Sequence, residues 1–239
     1  MPQFDRIASQ YARSSWVQQH LFNQVQSLYP ELPGTPCIID LGCGSGTNTA
    51  KLAQRYPKAH SIGYDHSQAM IQHAQAAYPA MSFTSAYATL PQADFISSHG
   101  LFHWLDNAAI DAMLSPLCGP HTRGLIHTFG PRTFLEFAQV CRTQGIRLPA
   151  QSFRTDYGPA FTPIAQTITH CLFPSVMALL RHMQNTGVTE PWHYQPVAIR
   201  RRWTRGFIQQ LESVYQALYG GIQVTYQLLS FSYTPSEGS

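Results

Sequence analysis

Three glycines and one aspartate have the spacing of a ligand-binding turn. Gly42, Gly44 and Gly46 alternate with single residues directly after a short apolar run, and Asp65 lies 19 residues beyond Gly46. Glycine lets the backbone approach a ligand closely and adopt dihedral angles that strain other residues. A carboxylate at the end of the next strand can accept hydrogen bonds from both hydroxyls of a ribose. The spacing therefore predicts a site for a ligand that contains a nucleoside.

The same loop argues against two other nucleotide sites. A dinucleotide-binding turn follows the pattern G-x-G-x-x-G, which would require glycine at Thr47, whereas this chain has G-x-G-x-G. A phosphate-binding P-loop ends in lysine followed by serine or threonine, and residues 42–48 contain no lysine. We therefore expect neither a dinucleotide nor a nucleoside triphosphate.

The composition limits the partners and the compartment. The sequence has 15 Lys and Arg against 12 Asp and Glu, which is far from the dense basic surface of nucleic-acid-binding proteins. Its five cysteines form no Cys-x-x-Cys pair, and its 11 histidines form no recognisable ligand set. It has no N-terminal signal pattern and no apolar run of about 18 residues. We expect a cytoplasmic chain with reduced cysteines that binds no metal, nucleic acid or membrane.

Alternating strand and helix patterns must position the glycine turn. Helical spacing of apolar residues continues to about residue 30, and the turn then follows the first strand. Such alternation predicts a parallel sheet with helices on both faces. The expected strands are 37–41, 60–65, 81–86, 94–98 and 124–129, and the expected helices between them are 47–56, 68–78, 107–117 and 132–142.

The regular alternation ends near residue 143. Four prolines divide the next segment, in which helices are expected at 175–184 and 203–219, and a β-branched and aromatic stretch predicts a closing strand over 222–233. We expect four regions: N-terminal helices that cover the site (1–34), an α/β core (35–145), a partly helical cap (146–221), and the closing strand with a tail (222–239).

Residues 40–46, with Gly63, Tyr64 and Asp65, resemble the first two motifs of class I S-adenosylmethionine-dependent methyltransferases. The resemblance implies a Rossmann-like, mostly parallel sheet with an antiparallel final strand, and S-adenosylmethionine as cofactor. It further implies that Asp40 supports the loop or the cofactor amino group and that Asp65 holds the ribose. The implied cofactor positions are Asp40, Gly42, Cys43, Gly44, Gly46, Asp65, His66, Ala86, Tyr87, Ser98 and His103.

Two segments depart from that family pattern. The third motif, residues 85–88, lacks the acid that usually reaches adenine N6. The Pro-Gly-Gly turn that usually precedes the fifth strand is replaced over residues 119–124, where we expect a surface turn only.

Short pieces scattered along the chain resemble the malonyl-acyl-carrier-protein O-methyltransferase family of biotin synthesis. These pieces are Phe4-Asp5-Arg6, Ser97-Ser98 followed by His103-Trp104-Leu105, Pro174-Ser175-Val176, and Thr225-Tyr226. The resemblance implies methylation of the free carboxyl of a malonyl thioester, with acyl carrier protein as partner. The arginine run 200–202 could then dock the acidic carrier protein.

Three further side chains are candidates for handling the acceptor. A carboxylate is already nucleophilic near pH 7, so its methylation requires no base, but an arginine fork would orient it. Arg147 and Arg181 are the candidates for that fork. Tyr11, on a covering helix, could place its ring near the positive sulfonium.

Two rival readings remain open on the sequence. The first is a methyltransferase for another small acid, such as trans-aconitate, or for a secondary metabolite. The second is a non-catalytic protein that binds the cofactor and interacts with a partner.

Overall fold

A seven-stranded mixed sheet forms the centre of the computed structural model, which describes residues 8, 11, 14–146, 153–187 and 203–235. The strand order is β3-β2-β1-β4-β5-β7-β6. The first five strands are parallel, and β7 runs antiparallel to both β5 and β6. The strands are β1 (Cys37–Leu41), β2 (His60–Tyr64), β3 (Ser82–Thr84), β4 (Ala93–His99), β5 (Cys118–Phe129), β6 (Phe161–Phe173) and β7 (Ile222–Tyr233).

Seven α-helices can be delimited within the described residues. They are α1 (Trp16–Gln24), α2 (Thr47–Arg55), α3 (Gln68–Ala77), α4 (Asn107–Leu114), α5 (Leu135–Thr143), α6 (Val176–Asn185) and α7 (Arg205–Tyr219). The α/β class, the parallel core and the antiparallel final strand are thus confirmed. None of the helices among the described residues is both long and apolar enough to cross a membrane.

Side-chain caps fix where four of the helices begin. Ser67 accepts a hydrogen bond from the Met70 amide at the start of α3, and Asp106, Ser175 and Thr204 cap α4, α6 and α7 in the same way. A capping oxygen satisfies an amide that has no partner within its helix. By contrast, α2 begins after Gly46 without a side-chain cap. The glycine turn therefore leaves the first amides of α2 without such a cap.

The strand β6 corrects the expectation of a cap without sheet structure after residue 143. It lies at the edge of the sheet and pairs with β7, and the register shifts between Pro163 and Ala165. Proline cannot donate to a strand ladder and is tolerated at edges and bulges. Because proline argues against a strand, β6 was not predicted from the sequence. The sheet accommodates Pro163 because β6 is an edge strand and the register shifts at this residue.

The segment expected as a surface turn over residues 119–124 is instead part of β5. Its pairing with β4 shifts between Ala93 and Phe95, and Thr122 is buried. The Thr122 hydroxyl donates to the Ala93 carbonyl at 2.6 Å. This tertiary hydrogen bond between neighbouring strands holds an irregular sequence in the sheet.

Candidate functional site

A cavity of about 310 Å³ lies at the carboxyl ends of β1, β2 and β4. Because these strands are parallel neighbours, the loops that follow them meet at one edge of the sheet. Its lining comes from these loops, from α3 and α4, and from the N-terminal segment. The lining residues are Tyr11, Gly42, Gly44, Tyr64, Asp65, His66, Ser67, Met70, His99, Gly100, Leu101, Trp104, Leu105 and Met113.

The glycine turn after β1 requires glycine for both its conformation and its space. Gly42, Gly44 and Gly46 have φ values of 74°, 52° and 81°, in the left-handed region. A Cβ on Gly46 would lie 2.7 Å from Cζ of Phe83, and one on Gly42 would lie 3.0 Å from Cβ of Leu101. The turn is therefore packed tightly against β3 and the loop after β4, and Gly42 and Gly44 line the cavity.

Asp65 is fixed in the cavity wall by main-chain hydrogen bonds. Its Oδ2 accepts from the Gly44 amide at 2.9 Å, and its Oδ1 accepts from the Ser67 amide at 2.8 Å. Each carboxylate oxygen can accept more than one hydrogen bond. The carboxylate is thus held in place at the cavity wall.

Asp40 lies under the turn and not on the cavity wall. It is buried, and its Oδ2 accepts from the Thr49 hydroxyl of α2 at 2.6 Å. Burial raises the pKa of Asp40 to about 7, an effect that the Thr49 hydrogen bond counteracts and the nearby Asp65 reinforces. Asp40 therefore connects β1 to α2 across the turn. Cys43 is also buried, and burial raises the pKa of its thiol well above the usual value.

The opposite wall of the cavity follows β4. The sequence analysis did not predict its residues, apart from the motif that contains Trp104 and Leu105. His99 is the last residue of β4, and Gly100 and Leu101 continue the wall. The signal that could have found His99 is its position at the carboxyl end of the strand beside β1. Because that adjacency depends on strand order, it becomes visible only in the folded sheet.

His66, next to Asp65 after β2, is exposed and lines the cavity. The segment after β3, by contrast, supports the cavity from outside. Ala86 is exposed, and the Tyr87 ring meets Tyr64 edge-on with centroids 5.5 Å apart. The Tyr87 hydroxyl also donates to the Met113 carbonyl. Tyr87 thus holds two lining residues in place, although it is not itself part of the lining.

Two other predicted cofactor positions do not reach the cavity. Ser98 is fully buried, and its hydroxyl donates to the Leu41 carbonyl at 2.9 Å. His103 packs on Phe129 with ring centroids 5.2 Å apart, and burial lowers its pKa to about 3. Ser98 faces the interior because it pairs with Leu41 inside the sheet. His103 lies behind Trp104, its ring neighbour in the wall.

The three side chains predicted to handle the acceptor do not lie together in the fold. Tyr11 lines the cavity, and a Cβ on Gly44 would lie 3.6 Å from its Cε1. Burial, reinforced by Asp65, raises the pKa of Tyr11 to about 12. Arg181 is exposed on α6 and does not line the cavity. Arg147 lies outside the described residues, as does the arginine run 200–202.

Comparison with known proteins relates the core of the chain to methyltransferases. Residues 38–118 match the family model described as a methyltransferase domain. A solved structure from Anaeromyxobacter dehalogenans, assigned as a type II methyltransferase, shares the fold with a TM-score of 0.57 and 19% identity, covering 90% of this chain and 95% of that one. Residues 38–118 are therefore similar to a methyltransferase domain, the sheet has the fold of a Rossmann-like methyltransferase, and the glycine turn and Asp65 fit S-adenosylmethionine as cofactor.

The curated relatives name two particular activities. A trans-aconitate 2-methyltransferase from Acidovorax sp. is 22% identical over 77% of this chain and 80% of its own length. A malonyl-[acyl-carrier protein] O-methyltransferase from Herminiimonas arsenicoxydans is 37% identical, over 30% of this chain and 28% of its own length. Several other trans-aconitate 2-methyltransferases match over 20% to 42% of their own length. The malonyl reading therefore has less support among these relatives than the trans-aconitate reading.

Proposed function

We propose that the protein transfers a methyl group from S-adenosylmethionine to a carboxylate of a small organic acid, with trans-aconitate as the first acid to test. The observation that carries the proposal is that neither His99 nor Tyr11, two titratable side chains of the cavity lining, is poised to act as a general base. Burial lowers the pKa of His99 to about 3 and raises that of Tyr11 to about 12. An ionised carboxylate needs no base, whereas a hydroxyl acceptor must lose a proton.

The residues of the cavity contribute to catalysis by binding and orienting the reactants and by excluding water from them. Bound S-adenosylmethionine supplies an electrophilic methyl group on a positive sulfonium. Gly42 and Gly44 present backbone to the cofactor, and Asp65 accepts from the ribose. Leu101 and Leu105 exclude water that would otherwise solvate the acceptor carboxylate. Orientation of two reactants can lower a barrier by ~7–11 kcal/mol, so positioning alone accounts for much of the catalysis.

The adenine needs a different recognition mode here, since the third motif lacks its acid. Tyr64 at the end of β2, Met70 on α3 and Met113 on α4 all line the cavity. An aromatic base can be held between such apolar side chains without a hydrogen bond to N6. We assign the adenine to this group.

A malonyl group on acyl carrier protein is the second candidate acceptor. It is favoured by the relative from Herminiimonas arsenicoxydans and by the motif pieces around Ser97-Ser98 and His103-Trp104-Leu105. The chemistry is the same, because the malonyl group also ends in a free carboxylate.

Methyl-ester formation tests the proposal directly. The protein is incubated with methyl-labelled S-adenosylmethionine and, separately, trans-aconitate, malonyl-acyl carrier protein and malonyl-coenzyme A, and the products are analysed by mass spectrometry. We expect a methyl ester with trans-aconitate, and a preference for the carrier protein would select the second candidate. Tight binding of S-adenosylhomocysteine by calorimetry without any ester would refute both and favour a non-catalytic cofactor-binding protein.

A further inference from the structure

One histidine in the acceptor wall has an unsatisfied polar atom. His99 lines the cavity, and its Nε2 is buried without a hydrogen-bond partner among the residues that the structure describes. Leaving a buried polar atom unpaired costs folding free energy, so each case calls for an explanation. Because the His99 side chain belongs to the cavity lining, a ligand that fills the cavity is the partner considered for this imidazole.

The imidazole of His99 is held rigidly by two neighbouring rings. Phe22 of α1 meets it edge-on with centroids 5.3 Å apart, and His127 lies 5.5 Å away in register on β5. His127 is itself fixed through Nδ1, which is 2.8 Å from Oγ of Ser230. His99 therefore presents a preorganised ring and not a mobile side chain.

The surroundings keep this ring neutral. Burial lowers the pKa of His99 to about 3, and the positive charge of Lys51 lowers it further in the same direction. A neutral imidazole carries one N–H donor and one acceptor nitrogen. Among the described lining residues there is no lysine or arginine, so His99 offers a donor without a positive charge.

We propose that His99 donates a hydrogen bond to one oxygen of the acceptor carboxylate and leaves the other oxygen free to attack. This inference rests on the proposed carboxylate chemistry. A single donor orients the group, whereas an arginine fork would engage both oxygens and reduce their nucleophilicity. The free oxygen forms a bond to the methyl carbon while the carbon–sulfur bond breaks and its electron pair remains on sulfur. No proton is released, so His99 keeps its own.

The position of His99 agrees with this role. Asp65 follows β2 and His99 ends β4, and these strands flank β1 on opposite sides. A cofactor whose ribose is held at Asp65 and which crosses the turn after β1 would leave the β4 side for the acceptor. His66, the other histidine of the lining, follows Asp65 on the ribose side.

The test compares His99→Leu, which removes the donor, with His99→Asn, which retains an N–H donor on a shorter side chain. For trans-aconitate, His99→Leu should lower kcat/KM roughly 10- to 100-fold, the loss of one hydrogen bond to a charged group, and His99→Asn should recover part of it. The Kd of S-adenosylhomocysteine should remain unchanged in both. His182→Leu is the matched control, because His182 is also buried with an unpaired Nε2 but does not line the cavity.

A second measurement does not depend on turnover or on the stability of a variant. In the wild-type complex with S-adenosylhomocysteine, the imidazole ¹⁵N resonances of His99 should report a neutral ring and should shift when trans-aconitate is added. Unshifted resonances would overturn the inference. Equal kcat/KM values for His99→Leu and His182→Leu would also overturn it. A loss of S-adenosylhomocysteine binding in His99→Leu as large as its loss of kcat/KM would overturn it as well. If the wild type methylates no acid, the proposed function fails and the role of His99 falls with it. If the wild type is active but His99→Leu is unaffected, only the role of His99 fails.

Discussion

The two walls of the cavity satisfy their polar groups in different ways. On the β2 wall, both oxygens of Asp65 already accept main-chain hydrogen bonds from Gly44 and Ser67. On the β4 wall, Nε2 of His99 has no hydrogen-bond partner within the described part of the chain, and Leu101 and Leu105 of the same wall are apolar. The cofactor wall is therefore preorganised by its own backbone, whereas the acceptor wall is completed by its ligand. Changes on the first wall should reduce cofactor binding and stability, and changes on the second should reduce turnover.

Gly46→Ala should give the largest effect. It combines a left-handed φ of 81° with a Cβ 2.7 Å from Phe83, so we expect a loss of about 3–5 kcal/mol in the free energy of unfolding and a severe loss of cofactor binding. Urea unfolding and calorimetry measure the two effects. Gly34→Ala is the control, since φ is 75° there and its Cβ would meet nothing within 4 Å. Equal destabilisation by both would show that packing against Phe83 does not matter, and Gly46→Ala with Phe83→Leu should recover part of the loss.

The pH dependence of stability should have opposite signs for Asp40, under the glycine turn, and for His99, on the β4 wall. The folded pKa of Asp40 is raised to about 7, so its contribution is present below the unfolded pKa near 4 and is lost as the pH rises to 7. For the buried Asp40 this loss is on the order of 4 kcal/mol. The pKa of His99 is lowered to about 3, so its contribution is present above pH 6.5 and is lost on acidification.

Unfolding free energies measured from pH 4 to 8 separate these contributions. Asp40→Asn should remove the decline with rising pH, and His99→Leu should remove a decline with falling pH. Thr49→Val, which deletes the hydrogen bond that lowers the pKa of Asp40, should extend the first decline to higher pH. Identical pH profiles for wild type and Asp40→Asn would contradict the burial of an ionisable carboxyl under the turn.

Asp65→Asn should separate the two walls by their effect on cofactor affinity. An amide retains the shape but loses the charge and one acceptor, so the Kd of S-adenosylhomocysteine should increase about 10- to 100-fold by calorimetry. His99→Leu should leave the same Kd unchanged. Asp94→Asn is the control, because this exposed carboxylate accepts from the Cys37 amide away from the cavity. If Asp65→Asn affects turnover alone, the assignment of Asp65 to the ribose is wrong.

Tyr87→Phe should give the smallest effect. It removes the hydrogen bond to the Met113 carbonyl but keeps the ring contact with Tyr64. We expect a loss of about 1 kcal/mol in stability and less than threefold in cofactor affinity. Thermal unfolding and calorimetry measure both. A loss of affinity as large as that of Asp65→Asn would place Tyr87 in direct contact with the cofactor.

Several elements of the fold could be predicted closely from local sequence. The strands β1 and β7 have the expected bounds, because runs of buried apolar or β-branched residues between turn signals have few alternative structures. The helices α2 and α3 begin at the expected residues, since a glycine turn and the Ser67 cap determine their starts. By contrast, Pro163 and the irregular segment around Thr122 read as loops, because hydrogen bonds to neighbouring strands hold them in the sheet.

The cofactor turn could be predicted from local sequence alone. The glycines at positions 42, 44 and 46 act through their own backbone, and the aspartate that contacts them follows the next strand of the same βαβ unit. The acceptor wall, by contrast, forms only when distant strands come together in the folded sheet. His99 faces the cavity because β4 inserts beside β1, and it is neutral because Phe22 and His127, from distant parts of the chain, bury it. Neither strand order nor burial by distant residues is encoded in local spacing, which is why the motif revealed the cofactor but not the residue that faces the acceptor.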